Sequence, residues 1–114
     1  MSKIKIAVLC AIIIFALATP FAVRQYKIKQ LRRQKEIEHA NACNNNLRLL
    51  DSSKQQWALE HKKQKTDTPT MEELRPYFGQ GPNAIAPACP DGGVYMIGSL
   101  GEKPTCSVPG HFLP

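Results

Sequence analysis

The 114-residue chain has no glycine before Gly79, no acidic residue before Glu36 and no proline between Pro20 and Pro69. It has one tryptophan, no C-x-x-C, no paired-carboxylate arrangement, no glycine-rich phosphate loop and no serine-nucleophile motif. Each absence excludes something. Phe21–Thr68 contains neither helix breaker, so a long helix can form there. Without the motifs there is no basis for nucleophilic, phosphoryl-transfer or thiol-redox chemistry, so no enzymatic activity, cofactor or metal is expected. The length excludes a large enzyme with a deep core, and the composition excludes a collagen-like or low-complexity chain.

The charge is uneven. The chain carries 15 Lys+Arg against 9 Asp+Glu, yet residues 1–35 hold eight basic residues and no acidic one. The remainder holds seven basic against all nine acidic residues. The basic surplus therefore belongs to the N-terminal segment and does not mark a nucleic-acid-binding face, so no nucleic-acid partner is expected.

Ile6–Val23 is an 18-residue run without a charge, flanked by Lys3 and Lys5 before it and Arg24 after it. At about 1.5 Å per residue it covers roughly 27 Å, enough to cross a hydrocarbon core. Ala16-Leu17-Ala18 resembles a signal-cleavage site, but the apolar run continues through Thr19–Val23, with Pro20 close behind that site. A retained anchor contacting membrane lipid is the preferred reading. Cys10, inside the run, reads as a small apolar side chain. Six basic residues between Arg24 and Lys35 favour a cytoplasmic C-terminal part by charge count.

Beyond the anchor, good helix formers continue to about Lys65. Ala40, Cys43, Leu47, Leu50 and Trp57 recur at helical spacing, with Ala58 and the stem of Lys54 widening the stripe. Cys43, Leu47, Leu50 and Trp57 are the residues expected to pack the helix against a C-terminal head. Pro20 can kink the helix, and the asparagines at 41 and 44–46 can make it irregular. Thr70 and Glu73 form a capping-box pattern opening a helix of about two turns, with Leu74, Tyr77 and Phe78 on its apolar face. Residues 79–92 read as loop, Gly93–Gly98 as a strand, Ser99–Glu102 as a turn and Pro104–Val108 as a returning strand. The fold class is α+β: a long transmembrane and amphipathic helix, a short second helix and a small β-hairpin head. The expected divisions are an anchor over 1–23, a stalk over 24–65 and a stapled head over 66–114.

A head this small is marginal without a staple. Cys89 and Cys106 flank the expected hairpin, and a disulfide between them closes a loop worth about 3 kcal/mol. Cys43, Cys89, Cys106 and His111 also make up a zinc ligand set of three cysteines and one histidine, but no short-spaced cysteine pair supports it. The disulfide is preferred, and the partner of Cys43 stays open among the three pairings. A disulfide implies an oxidising compartment, which opposes the charge count.

The layout resembles type IV pilin-like proteins, including the pseudopilins of type II secretion. The resemblance rests on the basic start, the apolar helix with Pro20, the run Ala42–Arg48 followed by Lys54–Ala58, and Asp67-Thr68-Pro69-Thr70. It is most specific in Cys89-Pro90-x-Gly92-Gly93-x-Tyr95-x-Ile97-Gly98 and Pro104-x-Cys106-Ser107-x-Pro109-Gly110-His111. It implies a pilin-like fold and a single-pass bacterial inner-membrane protein with a periplasmic head. It also implies helix packing with other pilin-like subunits in a pilus or secretion assembly. The alternative is a single-pass membrane protein whose head binds a partner or ligand. The chain departs from the family pattern in lacking the glycine of the prepilin cleavage site and a membrane-embedded glutamate, which implies an uncleaved, membrane-retained relative.

Overall fold

The computed structural model describes residues 2–79, 81 and 83–114. Helix α1 is Lys3–His61 and α2 is Met71–Leu74, followed by a 3-10 turn over Arg75–Tyr77. Strand β1 is Tyr95–Met96 and strand β2 is Thr105–Cys106. The molecule is α+β, with two compact units over Met1–Glu36 and Ile37–Pro114.

The first unit is helical from Lys3 onward and includes an 18-residue window long and apolar enough to cross a membrane, none of it buried. The helix passes through Pro20 without a break. Proline has no N–H to give the carbonyl of Ala16, and the Thr19 hydroxyl donates to that carbonyl instead, at 3.4 Å. The asparagine-rich stretch at 41–46 is likewise regular helix.

The second unit takes in the last part of α1, because those residues make half of its core. The boundary therefore falls after Glu36, where the sequence suggested 23 and 65. Cys43, Leu47, Leu50 and Trp57 are buried on one helix face and pack with Leu74, Phe78, Ala84 and Cys89. Helix α1 ends four residues before the expected Lys65. Lys62 turns left-handed at φ 51°, and the Lys63 N–H reaches back to the Ala58 carbonyl at 3.0 Å, closing the helix as a Schellman motif. Asp67 then fixes a turn by accepting from the Gln64 N–H at 2.7 Å.

The capping box forms as the sequence predicts. The Glu73 N–H donates to Thr70 Oγ1 at 3.3 Å, and the Thr70 N–H donates to Glu73 Oε2 at 2.8 Å. The strands are antiparallel, with Tyr95 opposite Cys106 and Met96 opposite Thr105, and are shorter than the sequence pattern suggested. Pro104, buried, stands just before β2 as its missing donor requires. The Glu102 N–H to the Ser99 carbonyl, 3.1 Å, closes the hairpin turn.

Lys54 is fully buried on the α1 stripe. Its ammonium donates to the carbonyls of Ile97 at 2.9 Å, Ser99 at 2.8 Å and Glu102, so all three donors have acceptors. Burial pulls its pKa below the ordinary lysine value, against the opposing pull of Asp51 and Glu102. A charged residue thus completes the apolar stripe and ties the hairpin turn to the helix.

Candidate metal centre

Cys43, Cys89, Cys106 and His111 meet at one point inside the second unit, with their three Sγ atoms and one imidazole nitrogen all within 4.8 Å of one another. Each arrives on a different piece of chain. Cys43 is on the buried face of α1 and Cys106 is the last residue of β2. Cys89 opens a tight turn in which the Gly92 N–H donates to the Cys89 carbonyl at 3.0 Å, with Gly92 at φ 75°. His111 is returned to the cluster by a second turn, its N–H donating to the Val108 carbonyl at 3.2 Å. Pro109 and Gly110, the latter at φ 83°, occupy the two central positions, as a type II turn requires.

The backbone N–H groups of Asp91 and Gly93 act on the Cys89 thiol. Burial raises the Cys89 thiol, but these two N–H groups, with His111 and Cys106, outweigh it and bring the pKa down to about 7. Cys43 moves the other way. Burial pushes it up to about 12, against the pull of a hydrogen bond from Tyr95. The Tyr95 hydroxyl is itself raised, first by burial and then by Cys43. Asn46, one turn along α1 from Cys43, donates to the Tyr95 oxygen at 3.0 Å and to the Ala88 carbonyl at 2.9 Å. It therefore holds the residue before Cys89 against the helix.

His111 is buried and its two nitrogens face different neighbours. Nδ1 lies 3.4 Å from Cys89 Sγ, and Nε2 lies 3.2 Å from Asp91 Oδ2. The other oxygen of Asp91 bonds Nδ1 of His39, on α1. Gly93 sits against the sulfurs: a Cβ there would lie 2.6 Å from Cys106 Sγ and 3.2 Å from Cys89 Sγ. A side chain at this position would occupy the space of the cluster.

Cys43, Leu47, Leu50 and Trp57, the expected packing residues, are all buried in the core. Cys89 and Cys106, the expected disulfide pair, come together in space with Cys43 beside them; Cys10 is exposed in the first unit. The pair is joined by a third thiol and an imidazole. Of the residues that orient this cluster, Gly93, Tyr95 and Asn46 enter the sequence reading only within the resemblance motifs or as parts of a helix or strand, and Asp91 and His39 have no role in it. Two local signals point to it: Cys89-Pro90-Asp91-Gly92-Gly93 as a sulfur-facing turn, and the four-residue gap between Cys106 and His111 filled by a Pro-Gly turn. Comparison of the chain with known protein families, curated proteins and solved structures finds no match.

Proposed function

We propose that the protein is a membrane-anchored, non-enzymatic subunit of pilin or pseudopilin type that works by helix packing. Its apolar run lies in an inner membrane or a helix bundle, and its head is on the extracytoplasmic side. The observation that carries this reading is the 18-residue apolar window of α1, none of which is buried within the chain. Apolar surface of that extent is covered by lipid or by other helices. The compact head supports the same reading, since it is built around residues of α1 itself.

The test is fractionation of cells producing the full chain, followed by mechanical shearing and high-speed sedimentation. Carbonate-resistant membrane association with sheared, pelletable filaments containing the chain is the expected result. A discrete detergent-soluble membrane complex would favour the alternative, a single-pass protein whose head binds a partner. Recovery in the soluble fraction would overturn both readings.

A further inference from the structure

We propose that Cys43, Cys89, Cys106 and His111 bind one thiophilic divalent cation, with zinc the best fit, in a closed tetrahedral site of three thiolates and one imidazole that fastens the head to α1. Every residue it uses lies in the second compact unit, so it is tested apart from the apolar run. Three thiolates in place of a disulfide withdraw the oxidising compartment as a ground for an extracytoplasmic head, which then rests on the pilin resemblance alone.

The donor set is the first argument. Three sulfurs and one imidazole nitrogen match the ligands of structural zinc in type and number. In a tetrahedral zinc site sulfur atoms stand about 3.8 Å apart. The four donors here are already within 4.8 Å, so about 1 Å of contraction completes the geometry. Zinc has no geometric preference of its own and accepts the arrangement the protein sets.

The surroundings are the second argument. The carboxylate of Asp91 beside Nε2 of His111 holds the ring proton on that nitrogen. Nδ1, facing the sulfurs, is thereby left with its lone pair free for a metal. Carboxylate, histidine and cation in line is the usual outer-shell arrangement of a metal-binding imidazole. Gly93 leaves the space a Cβ would take from two of the sulfurs.

The third argument is count. Any disulfide within the cluster uses two thiols and leaves a third, with the buried imidazole, unused. A cation uses all four donors, and the three thiol protons leave to solvent as the bonds form. Four protein ligands leave no open position for substrate, so the site is structural. It ties together α1, the turn at 89–93, β2 and the C-terminal turn in a head whose two strands have only two residues each.

The experiment uses the full chain solubilised from membranes in mild detergent, in two preparations: one from cells lysed with an alkylating agent, used only to map disulfides, and one lysed without it, used for every metal measurement. Native mass spectrometry is expected to show one zinc per chain. Replacement by cobalt is expected to give the thiolate charge-transfer and tetrahedral ligand-field bands of a site with three sulfur ligands and one nitrogen. His111→Cys is expected to keep one cation per chain and move the cobalt bands toward those of an all-sulfur site. A Cys89–Cys106 disulfide in the freshly alkylated protein would overturn the proposal. So would a chain with native circular dichroism that takes up no cobalt, or an unchanged cobalt spectrum in His111→Cys.

Discussion

Asp91 Oδ2 lies 3.2 Å from Nε2 of His111, and the opposite nitrogen of that ring faces the sulfur of Cys89 at 3.4 Å. The carboxylate acts on the cluster only through the imidazole. Asp91→Asn keeps the shape of the side chain and removes its charge. It is expected to weaken cation affinity about 10- to 100-fold, the usual cost of losing an outer-shell partner, with the far-ultraviolet spectrum unchanged. Competition against a chromophoric chelator measures this directly. Equal affinity in the two proteins would remove Asp91 from the centre.

Gly93 and Gly92 are adjacent but differ in what holds them as glycine. Gly92 is left-handed at φ 75° with open space where a Cβ would lie, whereas at Gly93 the added atom would meet Cys106 Sγ at 2.6 Å and Val108 Cγ2 at 2.7 Å. Gly92→Ala is expected to cost about 1 kcal/mol, the penalty of a left-handed alanine. Gly93→Ala is expected to cost about 1–3 kcal/mol through overpacking and to lose the cation as well. Urea titration and zinc content separate the two, and retention of full zinc occupancy by Gly93→Ala would show that the cluster has room to move.

The contrast between these neighbours indicates what was legible in the sequence. Periodicity revealed the buried stripe of α1, and local chemistry revealed the capping box of Thr70 and Glu73 and the hairpin. The same local pattern occurs a second time, where Glu102 accepts from the N–H of Ser99 at 3.0 Å and from its hydroxyl at 3.1 Å. There it closes a turn and starts no helix, so one short motif serves two structures. The meeting of Cys43 with Cys89, Cys106 and His111 depends on tertiary packing across more than forty residues, which no local pattern encodes. Asp91 and Gly93 take their roles only from where that packing puts them.

Lys54 is the other feature that composition hides, a lysine inside an apolar face. Lys54→Met keeps the length of the stem and leaves three carbonyls without their donor. Each unsatisfied buried acceptor costs about 1–3 kcal/mol, and some of the three are rescued by water, so a net loss of about 3 kcal/mol is expected. Lys54→Arg is not expected to restore stability, because a planar fork does not match three converging carbonyls. A denaturation midpoint for Lys54→Met within about 0.5 kcal/mol of the parent would mean that water fully replaces the ammonium.

Leu47 and Trp57 test the packing of the head on its helix. Both are buried, Leu47 completely and Trp57 to 3% exposure. Leu47→Asp places a charge in the apolar core, and Trp57→Ala removes a large side chain at a cost of about 3–5 kcal/mol. Both are expected to free residues 66–114 to rapid proteolysis while α1 remains helical. Retention of parental protease resistance and circular dichroism by both variants would refute the packing described here.

The disulfide suggested by the sequence and the cation site proposed from the structure use the same atoms, so one is expected to exclude the other. Thiolates bound to a cation are poor partners for an oxidant. Treating the loaded, detergent-solubilised chain with diamide is expected to leave the three cluster thiols intact, whereas stripping it first with a strong chelator exposes them. Cys89 and Cys106 then each lose one proton and one electron, and diamide takes up both electrons and both protons to become the hydrazine. The pair is favoured over Cys43 because both sulfurs lie against Gly93, while Cys43 is fully buried on α1. Peptide mapping should therefore show a Cys89–Cys106 link after chelation only, with Cys43 as a free thiol. Equal disulfide formation with and without the chelator would mean that no cation protects the cluster. The head would then be stapled by its cysteines alone.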